Sequence, residues 1–177
     1  KTLKVYILDL ITNVQVELLY TIYRDYPVIT RSARIMNKGK DTQIIENISS
    51  LSLDLPDANY EWQQLSGAWG RERTVKSRTL QQGIQSIEST RGISSHQHNP
   101  FVTLKRKNTD ENQGEAIGAA LVYSGNFLIQ AEVDTWDVTR LQFGINPFGF
   151  NWELKPGETF TAPEAILVYS SKGLNAM

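Results

Sequence analysis

Helical periodicity is nearly absent from this chain, and its first segments alternate with a period of two. Leu3, Val5 and Ile7 alternate with Lys4 and Tyr6, and Val14, Val16, Leu18 and Tyr20 alternate with Gln15, Glu17 and Leu19. Successive strand side chains point to opposite faces, so each pattern predicts a half-buried strand. Further β-branched and aromatic runs lie at Val28–Ile35, Ile44–Leu55, Phe101–Leu104, Ala116–Tyr123, Phe127–Val133, Thr139–Phe143 and Ala165–Tyr169. Turn chemistry separates them at Asn37-Lys-Gly-Lys40, Ser124-Gly-Asn126 and Lys155-Pro-Gly-Glu158. The last places Pro and Gly where a type II turn wants them, Pro fixing φ and Gly accepting positive φ. Roughly ten short strands without intervening helices predict an all-β fold, a large antiparallel β-sandwich with few or no helices. The polar stretch Lys105–Gly114 reads as an exposed hairpin loop.

A chain of 177 residues, 40% of them hydrophobic, suffices for one sizeable core. It shows no internal repeat, low-complexity tract or Pro/Gly/Ser-rich linker, so residues 1–177 are expected to form a single domain. The 18 basic and 19 acidic residues leave a net charge of −1, with no footprint for nucleic acid or an anionic membrane. No apolar run reaches the roughly 18–20 residues that span a bilayer. Having no cysteine excludes disulfides, Cys-based metal sites and thiol nucleophiles, and is consistent with an expected cytoplasmic location. The chain opens already in strand-like alternation at Lys1 and stops at Met177 without a cap. Both ends are therefore expected to be cut from a longer polypeptide.

The residue types suited to recognition concentrate in two segments, Ser66–Arg73 and Ser89–Phe101. Trp69 lies between Gly67 and Gly70 and precedes Arg71-Glu72-Arg73. Its indole is suited to stack on the C–H face of a sugar, and Arg71 and Arg73 to donate forked hydrogen bonds. The alternative is that Trp69 fills an interdomain contact and the charged residues form a solvated strip. His96 and His98 share one face of any strand that holds them, a possible start for a metal site needing a third ligand such as Glu132 or Asp134. Pro100 instead argues against a central strand and places the pair at a strand end. The acid groups Asp54/Asp57 and Glu132/Asp134/Asp137 sit beside turn signals, which explains them better than glycoside hydrolysis by paired carboxyls does. Trp136 and Trp152 read as core and Trp62 as part-buried.

Four separated stretches then carry a family resemblance. They are Tyr60-Glu-Trp-Gln-Gln-Leu-Ser-Gly-Ala-Trp-Gly-Arg-Glu-Arg73, Ser89-Thr-Arg-Gly-Ile-Ser-Ser-His-Gln-His-Asn-Pro-Phe101, Gly114-Glu-Ala-Ile-Gly-Ala-Ala-Leu-Val-Tyr-Ser-Gly-Asn-Phe127, and Phe143-Gly-Ile-Asn-Pro-Phe148 running on to Trp152-Glu-Leu-Lys-Pro-Gly-Glu158. In this order and spacing the chain resembles the amino-terminal region of bacterial α-galactosidases of glycoside hydrolase family 36. The resemblance implies a twisted supersandwich preceding a (β/α)8 catalytic barrel, which would be this chain's partner within the same polypeptide. It implies retaining hydrolysis of terminal α-linked galactose, as in melibiose and raffinose, by two Asp on barrel strands, with no metal or organic cofactor. It further implies a homo-oligomer, often a tetramer, when whole. No catalytic residue is expected in this chain. Trp69, Arg71, Arg73, Arg91, His96, His98 and Asn99 are the candidate sugar-rim or interdomain contacts. The competing reading is a self-contained carbohydrate-binding module for galactosides.

Overall fold

The computed structural model describes residues 1–177. Fifteen strands follow in chain order: β1 (Thr2–Leu8), β2 (Val14–Ile22), β3 (Val28–Asn37), β4 (Gln43–Ile45), β5 (Ser49–Leu55), β6 (Glu61–Ala68), β7 (Arg71–Thr79) and β8 (Gly83–Glu88), then β9 (His98–Lys105), β10 (Ala116–Val122), β11 (Phe127–Val133), β12 (Thr139–Ile145), β13 (Trp152–Leu154), β14 (Thr159–Thr161) and β15 (Glu164–Ser170). A single 3-10 turn, Leu174–Ala176, ends the chain. The fold is all-β, and every strand pairing is antiparallel. No helix is long and apolar enough to cross a membrane.

The large sheet runs β1-β2-β3-β15-β10-β9-β6-β7, and β14 continues beside β3 where β15 stops. A second sheet, β5-β12-β11-β8, packs against it, and β13 with β4 forms a small third one. Alternation decides which residues meet between the sheets. Phe127, Ile129, Ala131 and Val133 on β11 and Leu141 and Phe143 on β12 face Trp62, Val102, Leu104, Ala119, Leu121 and Ala165 of the large sheet in one buried core. A lesser cluster of Ala33, Ile45, Ile48, Leu154 and Ala162 closes the sandwich beneath β3. The predicted type II turn is present: Glu158 N donates to Lys155 O at 3.0 Å, with Gly157 at φ 82°.

Several expectations are corrected. Ile44–Leu55 is two strands in different sheets, β4 and β5, rather than one. Trp136 is 84% exposed and Trp152 48%, so neither is core, while Trp62 is wholly buried rather than part-buried. Trp136 sits at the tip of the β11–β12 hairpin, where its N–H donates to Asp134 Oδ1 at 2.8 Å; strand-like neighbours are a poor guide at a turn. Pro100 belongs to an interior strand, β9, yet costs no ladder bond. It lies before the pairing with β10 begins and at the irregularity opposite β6, where a missing N–H is tolerated. The loop after β9 is only partly solvent-exposed. Thr109 is buried, and the chain end folds onto this loop, Leu174 N donating to Asp110 O and Asn175 N to Glu111 O.

Candidate functional site

The hairpin β6–β7 positions the first segment. Its register pairs Trp62 with Arg78, Gln64 with Lys76, Ser66 with Thr74, and Ala68 with Arg71, leaving Trp69-Gly70 as the turn. Opposite Gly67 the β7 strand bulges, and Arg73 adopts φ 55°. A Cβ at Gly67 would meet Arg71 O at 2.5 Å and the Glu72 Cα at 2.7 Å, so only glycine lets the strands approach here. The bulge and the turn carry Trp69 outward until it is 89% exposed. Glu72 folds back to accept the Gly70 N–H at 2.8 Å, and that bond, more than nearby His96, holds its carboxyl below the usual range.

The second segment meets the hairpin at two bonds. Gly67 N donates to Gln97 O at 3.0 Å, and Ser66 Oγ lies 2.9 Å from His98 Nδ1. Between them opens a cleft of about 370 Å³ lined by Ser66, Gly67, Arg71, Thr74, Lys76, Gln97 and His98, none of them hydrophobic. Of the residues predicted from sequence, Arg71 and His98 therefore converge. Trp69 at the hairpin tip, and Arg73, His96 and Asn99, are near in sequence but do not line it. Arg91 belongs to a separate turn, where Ser89 Oγ donates to Ile93 O and Gly92 N to Asn126 Oδ1. His96 lies in a turn and His98 opens β9, so the pair does not share a strand face. No group of three or more His, Asp or Glu is placed to hold a metal ion.

A polar relay backs the cleft. Trp62 Nε1–H, wholly buried, donates to Gln64 Oε1 at 2.8 Å, which orients the amide so that its Nε2 donates to Ser66 Oγ at 2.7 Å. Ser66 Oγ, already accepting, is free to pass its one proton to His98 Nδ1. Burial first, and the Arg78 charge second, push the His98 pKa down, against an opposing pull from Glu88, and so favour the neutral ring. The neutral ring that accepts at Nδ1 carries its proton on Nε2. Ser66, Thr74, Lys76 and Gln97 were not singled out from sequence. Spacing by two along β6 (Trp62, Gln64, Ser66) was the available signal, but β7 has no apolar alternation to betray a strand, since it is exposed throughout.

Three of the five carboxylates weighed from sequence are committed elsewhere. Asp57 takes a bidentate bond from Arg106 at 2.6 and 3.1 Å, and Asp54 takes one from Arg140 at 2.7 and 2.9 Å. The arginines hold both carboxyls below their ordinary range, the opposite of what a general acid needs. Asp134 accepts the N–H groups of Trp136 and Val138, as a turn-stabilising residue does.

The glycosyl hydrolase family 36 N-terminal domain matches residues 1–155. The chain belongs to this family. The α-galactosidase AgaA of Geobacillus stearothermophilus is 51% identical over the whole chain, which covers 24% of that enzyme. Alpha-galactosidase 1 of Pediococcus pentosaceus is 44% identical, again over the whole chain and 24% of the relative. The crystal structure of AgaA superposes with a TM-score of 0.98 over 99% of this chain and 24% of its own, and a variant of AgaA in complex with stachyose superposes at 0.97 with the same coverage. The chain thus spans about a quarter of the length of the relatives it matches, and is their N-terminal β-sandwich domain. A galactose mutarotase related enzyme from Lactobacillus acidophilus, 9% identical with a TM-score of 0.57 over 69% of its length, shares the fold alone.

Proposed function

We propose that this chain serves as the non-catalytic sandwich of an enzyme that hydrolyses terminal α-linked galactose in melibiose- and raffinose-type sugars. In this reading the hairpin tip at Trp69, with Arg71, Arg73 and the His96–Asn99 segment, packs against a catalytic barrel and contributes to the rim of its sugar pocket. The observation that carries it is the pairing of high identity with partial coverage: half the residues match an α-galactosidase, over a quarter of that enzyme. The state of the acids supports it, because Asp54 and Asp57 are locked in arginine pairs and neither is poised to protonate a leaving group. A homo-oligomer of the whole enzyme and a cytoplasmic location belong to the same proposal.

The test is turnover of a nitrophenyl α-galactoside by the chain alone. No release above a heat-killed control is expected, and release well above it would sink the reading. Exposed Trp69 beside a polar cleft favours one rival, a self-contained galactoside-binding module. Calorimetry separates them: a partial rim binds galactose or melibiose no tighter than millimolar, because most contacts of a closed pocket are missing, whereas micromolar binding would establish the module.

A further inference from the structure

The cleft behind Trp69 holds more donor chemistry than a packing surface requires. Arg71 and Lys76 reach it from β7, and neither forms an ion pair. No carboxylate lines it. The nearest acid felt by His98, Glu88, is engaged by Asn146 Nδ2 at 3.0 Å. Opposite the cations, His98 Nε2 has no protein partner, while its Nδ1 is held by Ser66. That orientation is built from within: Gln64 is buried to 8% exposure and is itself fixed by wholly buried Trp62. A fully sequestered indole N–H thus sets, through two hydrogen bonds and a hydroxyl, which nitrogen of a half-buried imidazole presents a proton to the cleft.

We propose that this cleft is a binding site for a small oxyanion, a phosphate or a carboxylate, gripped by the Arg71 fork and the Lys76 ammonium from one side and by His98 Nε2–H from the other. Two charge-assisted donors from β7 and a neutral imidazole N–H from β9 converge on a space without a competing acid, which is the arrangement oxyanions select. Thr74 supplies a further hydroxyl. Neutral sugars offer hydroxyls that both donate and accept, and gain less from a wall of cations and one imidazole N–H. The site shares Arg71 and His98 with the proposed rim, but its test reads anion binding alone, so the two readings can fail separately.

The experiment is an NMR titration of the isotopically labelled chain with inorganic phosphate, with sodium acetate as the second arm and sodium chloride at matched ionic strength as the control. Saturable shifts confined to the His98 ring, the Arg71 guanidinium and the amides around Ser66 and Gln97 are expected, with chloride silent. A stronger response to phosphate than to acetate assigns the phosphate source, and the reverse assigns the carboxylate. The double substitution R71A/K76A, at exposed strand positions, should weaken the response at least about 10-fold, the scale of one charge-assisted bond. Ser66→Ala should weaken it less and release the His98 tautomer preference, seen in the ring nitrogen shifts. Shifts that rise linearly without saturation, that spread over all surface cations, or that persist unchanged in R71A/K76A would overturn the proposal. So would galactose producing the same saturable pattern, an outcome that would leave the α-galactosidase reading intact.

Discussion

Two groups of cations on this molecule behave in opposite ways. Arg106, at the start of the β9–β10 loop, grips both oxygens of Asp57, bonds Glu115 Oε1 at 3.1 Å, and lies 3.9 Å from the Tyr60 ring centroid. These interactions tie the β9–β10 loop to the connection between β5 and β6 and close the loop on itself at Glu115. Arg71, Arg73 and Lys76 on β7 have no such partners and stand on an edge strand with an outer backbone side that no strand pairs. Cations on an edge strand keep it from pairing with another sheet, so part of this strip is explained by solubility alone. The exposed indole at its end is not, because a surface Trp gains nothing for the fold. Committed charge marks structure here, and the uncommitted charge beside an exposed aromatic is where the proposed partner contact lies.

That contrast can be broken by substitution. Trp62→Ala, at the core end of the relay, should cost the most, about 3–5 kcal/mol of unfolding free energy in denaturant titration, as for other large buried aromatics. Arg106→Ala should cost about 2 kcal/mol, since it leaves Asp57 without its bidentate partner and strips the Tyr60 face. Acid should act on the same pair. The Arg106 hydrogen bonds depress the folded pKa of Asp57 below its ordinary 3.8, so the stabilisation is complete above that value and is lost as pH falls through the lower folded value. Thermal melts should therefore drop below about pH 4, and more shallowly in Arg106→Ala. At the other region, Trp69→Ala and Arg71→Ala should each change unfolding free energy by no more than about 0.5 kcal/mol. A loss at Trp69 as large as that at Arg106 would erase the distinction between the two regions.

Much of the fold was legible because alternation encodes burial. β2, β11 and β12 fall where apolar residues recur at every second position, β3, β10 and β15 where β-branched and apolar residues run together, and the Pro-Gly turn after β13 sits where its chemistry puts it. β7 escaped because an edge strand open on both faces has no burial to encode. Trp152 was misjudged because it packs only one flank, against Phe160 at 5.2 Å between centroids, on the short β13. Within the candidate site, Trp69 and its glycines were visible as a motif, whereas the cleft was not. It depends on the registers that set Ser66 opposite Thr74 on one side and His98 on the other, and no local pattern specifies either.

The central claim is that the Trp69 tip serves a neighbouring domain rather than this one, and a domain exchange tests it most directly. The matching quarter of the Geobacillus stearothermophilus α-galactosidase AgaA would be replaced by this chain, with Trp69 intact or changed to Ala, and kcat/KM measured on raffinose. The account predicts an active chimera in which Trp69→Ala lowers kcat/KM about 10-fold or more, the scale of losing one stacked aromatic contact, while the isolated chain melts unchanged. Equal kcat/KM for the two chimeras would contradict it.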